Sequence, residues 1–213
     1  MEYERDYHLE KHAYLYKDEK YYDVRAKLSI LKYFLGIQKD SKILEFGCGL
    51  GHNIISFPNA IGYDISKFAI DFCKKKGINI TNNLKSLKDD YFDVVFSCHV
   101  LEHLENPFKE LEIIHKKLKK GGKLILILPV EKHQRVSLEI DSNQHLYCWN
   151  FRTINNLLTK VGFKPVENKY LWGTGYKKLL FFSRINFALY NFMTKLVGII
   201  FNVREMKILA IKN

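Results

Sequence analysis

Cysteine is sparse and scattered. The four residues Cys48, Cys73, Cys98 and Cys148 include no C-x-x-C pair, which argues against both a disulfide framework and a thiolate zinc site. That pattern suits a reducing, cytoplasmic setting. The segment Met1 to Lys11 is dense in charge and lacks the apolar stretch of a signal peptide, so none is expected. Arg184 and Lys195 interrupt the most apolar region, Leu179 to Phe201, so no run reaches the roughly 18 apolar residues of a membrane span. Internal repeats and Pro/Ser-rich linkers are missing. No metal-binding cluster is evident either, and Asp89-Asp90 reads as a solvated turn. What is present is a 213-residue chain with 47% hydrophobic and 27% charged residues, enough to bury a core and best read as one domain.

Charge is unevenly placed. Net charge is +11, and between Tyr176 and Asn213 seven basic residues face Glu205 alone. A basic surface can meet nucleic acid, anionic lipid or an acidic substrate. Residues 1–22 mix six tyrosines with carboxylates, the composition of a surface helix or of a flap over a site. From Asp23, apolar Val24, Leu28, Leu31 and Leu35 recur at helical spacing until Gly36. Strands are then expected at Ser41–Phe46, Ala60–Tyr63, Ile78–Thr81, Phe92–Ser97 and Lys123–Val130, with helices at Ser66–Lys75 and Pro107–Leu118. Apolar strands alternating with helices predict a doubly wound α/β core, its parallel sheet covered on both faces. A polar loop then leads to a helix over Phe151–Val161 and strands over Phe163–Trp172 and Met206–Ile211.

The first expected strand ends in Gly47-Cys48-Gly49-Leu50-Gly51. A glycine loop between strand and helix lets a ligand approach the backbone and meet helix N-terminal N–H groups. Glycines stand at the first, third and fifth positions, with His52 at the sixth, which departs from the dinucleotide fingerprint; His52-Asn53 after Gly51 excludes a phosphate loop. Asp64, at the end of the second strand, faces the same crevice and can accept both hydroxyls of a ribose, or else serve the helix starting at Ser66. Together these features suggest an adenosine-type ligand.

The runs Ile43-Leu-Glu-Phe-Gly-Cys-Gly-Leu-Gly51, Gly62-Tyr-Asp64-Ile-Ser, Phe92 to Pro107 (with Cys-His-Val-Leu-Glu-His) and Leu118 to Pro129 (with Lys-Lys-Gly-Gly-Lys) resemble the successive motifs of class I S-adenosylmethionine-dependent methyltransferases. The resemblance covers about residues 23 to 172 and 204 to 213. It implies a mostly parallel, seven-stranded Rossmann-like sheet with helices on both faces and an antiparallel last strand. On that plan 1–40 is a helical cap, 41–172 with 204–213 the core, and 173–203 an apolar, basic helical insertion in a single domain 1–213. The implied cofactor is S-adenosyl-L-methionine, with S-adenosyl-L-homocysteine as product. Glu45 and the backbone of Gly47, Cys48 and Gly49 would face its methionine end, Asp64 the ribose and Ile65 the adenine. Asn82, Asn83 and Leu84 occupy the place of the usual acidic adenine contact. Cys98, His99 and Val100 would pass beside the methionine chain, and Arg25 resembles the arginine that meets the cofactor carboxylate in some relatives.

A hydroxyl acceptor needs a base, for which histidine suits neutral pH. His99, His103, His133 and His145 fall near the segments topping the sheet. Of these, His99 and His145 are the candidate catalytic groups, while His103 reads as structural. The leading expectation is O-methylation of a small molecule or a sugar/glycan precursor. The helix of 179–201 would rest peripherally on membrane, close the acceptor pocket or form a homodimer face. A second reading, nucleic-acid methylation, has the +11 charge in its favour; against it, Ser-Cys-His-Val replaces the Asn-Pro-Pro-Tyr type of tetrapeptide, and no Pro-Cys pair occurs. A third is a non-catalytic cofactor-binding partner subunit.

Overall fold

The structure, a computed structural model, describes residues 5–131 and 143–213; His133 lies outside them. Three helices lead: α1 (Arg5–Lys11), α2 (Ala13–Lys17) and α3 (Glu19–Tyr33). Then follow β1 (Ile43–Phe46), β2 (Ala60–Tyr63), α4 (Lys67–Lys75), β3 (Ile80–Thr81), β4 (Phe92–Cys98), α5 (Pro107–Lys117) and β5 (Leu118–Pro129). The remainder is α6 (Phe151–Val161), β6 (Phe163–Trp172), α7 (Leu180–Ile185), α8 (Phe187–Ile200) and β7 (Arg204–Lys212). The sheet order is β3-β2-β1-β4-β5-β7-β6, and β7 runs antiparallel to both its neighbours. This is the seven-stranded Rossmann-like plan, including the antiparallel last strand.

Burial explains the apolar strands. β1 is buried throughout, and Leu124 to Leu128 of β5 form a continuous buried run because layers cover both faces. One core cluster joins the sheet to Leu111 and Ile114 of α5 and to Ile154 and Leu158 of α6. The other joins it to Tyr33, ending α3, and Cys73 of α4. Local chemistry sets the helix starts: Ser66 caps α4 through Ala69 N–H, and Asn150 with Thr153 forms a capping box on α6.

Three expectations need correction. Residues behind the glycine loop form successive turns rather than a helix, with Ile54 and Ile55 N–H bonded to Gly51 O and Phe57 N–H to Ile54 O. Pro58 and the early start of β2 leave the chain little room to propagate a helix. Helix α3 buries Leu28 of the expected stripe together with Tyr22, Ala26, Ser29 and Tyr33, while Leu31 and Leu35 stay exposed, because its inner face meets a partly polar site. Strand β5 begins at Leu118 rather than Lys123, with a register shift opposite Phe92/Val94 where Gly121 adopts φ 74°.

Candidate functional site

The glycine loop crosses the carboxyl end of β1. Gly47, Gly49 and Gly51 all have positive φ, and a Cβ at Gly47 would stand 2.4 Å from Val100 Cγ2. Only glycine fits there. Gly47 and Cys48 N–H both donate to Tyr63 O, at 2.9 and 3.0 Å. Gly49 N–H donates to Asp64 Oδ2 at 2.7 Å, and Ser66 N–H donates to Asp64 Oδ1 at 2.9 Å. Asp64 therefore ties the loop to the end of β2 and shapes the start of α4, keeping further lone pairs for a ligand. The Cys48 side chain is buried against Gly62, so only its backbone can serve a ligand.

Glu45 is wholly buried. Its Oε1 accepts from Asn53 Nδ2 at 2.6 Å, and Asn53 Oδ1 accepts from Ser29 Oγ of α3 at 2.6 Å. Its Oε2 has no partner, and burial pushes the carboxyl well above its ordinary pKa. An orphaned buried carboxyl oxygen beside a glycine loop fits an incoming ammonium group. Arg25 Nη1 lies 3.4 Å from Tyr21 Oη, and its Nε is also unpartnered. Burial opposes its charge, but Tyr21, Tyr33 and Glu205 outweigh that, so it remains a cation able to meet a carboxylate. These donors and acceptors fit the two ends of an amino acid.

His99 follows β4 with φ 55°, an unusual backbone for a branched ring. Its Nε2 meets Glu205 Oε1 of β7 at 2.9 Å, and its Nδ1 faces Glu102 Oε1 at 3.5 Å. Burial works against the charge, but the two carboxylates prevail and push the ring up to about 10. It is thus an imidazolium at neutral pH, without a lone pair to take a proton. Neither carboxylate partner was legible as such: Glu205 lies more than a hundred positions along the chain and reaches His99 only because β7 inserts beside β5. Cys98 keeps its proton, its pKa raised chiefly by burial.

His145 has a different setting. Its Nδ1 is hydrogen-bonded to Glu131 Oε1, just beyond β5, and its ring meets that of His103 edge-on at 4.8 Å. Leu146 and Tyr147 N–H both donate to Glu102 O, pinning this segment to the end of β4. Glu102, His103 and His145 bring ligand-type atoms within 4.8 Å of one another, a grouping not visible from their separation in sequence. The adjacent His99 cation opposes adding a metal there.

At the adenosine end, Ile65 is 64% exposed and lines a cleft of about 510 Å³ together with Thr81 and Asn82. Asn83 is exposed and caps the short turn that follows, through Lys85 N–H, while the Leu84 side chain joins the core. Asn83 and Leu84, expected with Asn82 at the adenine contact, thus stand just past the residues that line this cleft. The tyrosine-rich start covers the loop. Tyr22 Oη donates to Leu50 O, and Tyr21 Oη donates to Gly175 O, each at 2.8 Å. Burial, with His8 and Arg25 nearby, brings His12 down to about 4. Beyond Tyr21, a second cavity of about 800 Å³ lies between Tyr14, Tyr176, Lys177, Leu179 and Val197.

A family model described as "Methyltransferase domain" matches residues 16–168. An uncharacterized protein of Methanocaldococcus jannaschii, MJ1123, is 31% identical over 137 residues, covering 58% of this chain and 65% of that protein. The tRNA U34 carboxymethyltransferase of Wolinella succinogenes is 31% identical over 90 residues, covering 39% of this chain and 32% of that protein. The chain thus spans from about a third to just under two thirds of these relatives. A SAM-dependent methyltransferase from Archaeoglobus fulgidus superposes with a TM-score of 0.61 at 23% identity, covering 95% of this chain and 100% of that one. The family model agrees with the methyltransferase resemblance read from the motifs, and the superposition agrees with the expected fold.

Proposed function

Because this chain belongs to the methyltransferase-domain family, we propose that it moves a methyl group from S-adenosyl-L-methionine to a hydroxyl of a small molecule or a sugar/glycan precursor. When bound, the sulfonium supplies an electrophilic methyl carbon. Glu45 would pair with the cofactor ammonium, Arg25 with its carboxylate, Asp64 with the ribose and Ile65 with the adenine. The backbone of Gly47 to Gly49 would line the crevice. In-line transfer leaves the protein mainly to align the acceptor, at about 3 to 3.5 Å, and to take its proton.

The observation that carries the oxygen-acceptor reading is the Glu131–His145 pair at the carboxyl edge of the sheet. A carboxylate on one ring nitrogen fixes the orientation and tautomer of the ring, the role such a group plays beside a general base. His99 already carries its proton, so its part is electrostatic: its single positive charge partly offsets Glu102 and Glu205 beside the methionine end. A cavity of small-molecule size, about 800 Å³, lies beyond Tyr21 and is lined by neither His145 nor Glu131.

The test is a panel of hydroxyl acceptors with methyl-labelled cofactor, comparing wild type with His145→Gln. Loss of a general base should lower kcat by about 100-fold or more and leave cofactor affinity within about twofold, since the ring does not hold the cofactor. Unchanged turnover would remove His145 from the chemistry. The tRNA enzyme's similarity and the +11 charge favour a second reading, RNA methylation. Label appearing in RNA, with binding that weakens steeply in salt, would select it.

A further inference from the structure

Helix α8 is inverted with respect to water. Its buried stripe is Tyr190, Thr194 and Gly198, small or polar groups that pack where Gly198 and Gly173 approach too closely for any Cβ. Its outward stripe is Phe192, Leu196 and Ile199, with Lys195 the cation among them. On α7, which packs against α8, Phe181 and Ile185 stand four residues apart on one face and are 62% and 63% exposed. A surface helix ordinarily turns such residues inward, and a contiguous exposed apolar face marks a docking surface.

Charge identifies what docks. From Asn168 to Arg204 the sequence has six cations and no carboxylate; Lys169 pairs with Glu167, Lys177 with Asp18, and Arg204 lies over Tyr170 and Trp172, while Lys178, Arg184 and Lys195 are exposed around the apolar face. A two-fold self-contact would set this patch against its own copy, cation against cation. An anionic bilayer offers instead an apolar interior for the phenylalanines and isoleucines and negative headgroups for the lysines and arginines. Among the described residues no helix is long and apolar enough to cross a membrane, so the geometry is that of lying on the surface.

We infer that α7 and α8 dock this protein on an anionic lipid bilayer, their exposed apolar face entering the headgroup boundary and the surrounding lysines and arginines meeting lipid phosphates. Lys177, Leu179 and Val197 of this region also line the 800 Å³ cavity. Resting on the methyl-transfer reading above, the docking would deliver acceptors that carry an apolar tail.

Vesicle flotation of the full chain tests this, with phosphatidylglycerol/phosphatidylcholine mixtures against pure phosphatidylcholine. Binding to the anionic vesicles is expected, weakening at least tenfold between low and high salt and again at least tenfold in Phe192→Asp/Ile199→Asp. Both positions are exposed, and an unchanged melting profile verifies the fold. Lys178→Glu/Lys195→Glu should weaken anionic binding without creating binding to neutral vesicles. No flotation on anionic vesicles at low salt overturns the inference, as does a dimer in solution that Phe192→Asp dissociates. Cofactor binding measured by calorimetry separates the two readings: failed flotation with cofactor binding intact removes only the membrane, whereas absent cofactor binding removes the methyltransferase reading.

Discussion

Cofactor binding should release a proton from Glu45. The carboxyl is wholly buried, one oxygen bonded to Asn53 and the other unpartnered, and burial raises its pKa well above the ordinary carboxylate value. Without a ligand, burial favours the protonated acid; an ammonium placed against it favours the ionised form and so favours release of that proton. In Glu45→Gln the amide oxygen can still accept from Asn53, so the fold should persist, with stability equal or higher because no buried acid remains to ionise. A lost charge-assisted hydrogen bond in a buried site costs about 1.5 to 3 kcal/mol, which is roughly 10- to 100-fold in Kd. The assay is titration calorimetry at pH 7 in phosphate and in Tris, whose ionisation enthalpies differ. Wild type should release protons on binding the cofactor, and its affinity should climb with pH, by up to about tenfold per pH unit below the carboxyl's own pKa. The variant should show neither. An identical proton count in the two proteins, or a Kd changed by less than about threefold, would refute the assignment of Glu45 to the ammonium. The sign for the ligand-free fold is opposite: a raised carboxyl stabilises below its unfolded pKa, and that contribution is lost as pH rises through the folded one.

His99→Asn should lower stability at pH 7 by about 1 to 2 kcal/mol, a figure well below the full shift because the ring is 39% exposed and partly screened. Since the folded pKa is raised from 6.5 to about 10, the contribution is complete below 6.5 and disappears as pH climbs through 10; a wild-type-minus-variant difference that stays flat across urea titrations from pH 7 to 10.5 would contradict it. Gly47→Ala should cost about 2 to 3 kcal/mol, combining positive φ with the clash on Val100, and Val100→Ala in the same chain should recover part of the loss in thermal melts. Asp64→Ala should weaken both cofactor and demethylated product by about 1 to 3 kcal/mol, measured calorimetrically; equal binding to wild type would confine Asp64 to bracing Gly49 and Ser66.

Local chemistry made much of this molecule readable in advance. Continuous apolar runs between glycine- and proline-marked breaks announced the parallel strands, because a strand covered on both faces needs no polar side. The boundaries of β2, α6 and β6 follow from residues that start or stop an element alone, such as Asn150 before α6 and Gly162 after it, at φ 110°. Gly47, Asp64 and Glu45 were visible because motif spacing places them at strand ends. The inner face of α3 was legible only in part: Leu28 of the apolar stripe is buried, but Leu31 and Leu35 are exposed, and Ser29 and Arg25 have value only opposite Asn53, Glu45 and Glu205. His99 shows the same limit: a histidine at a strand end reads as a base until Glu205, carried in by the antiparallel β7, and Glu102 keep it charged at neutral pH. Short-range steric and hydrophobic preferences act between neighbours in the chain and are written in their order. The protonation of a buried group depends on charges that only chain folding brings within a few ångströms, so the electrostatics of the site were decided by the tertiary structure.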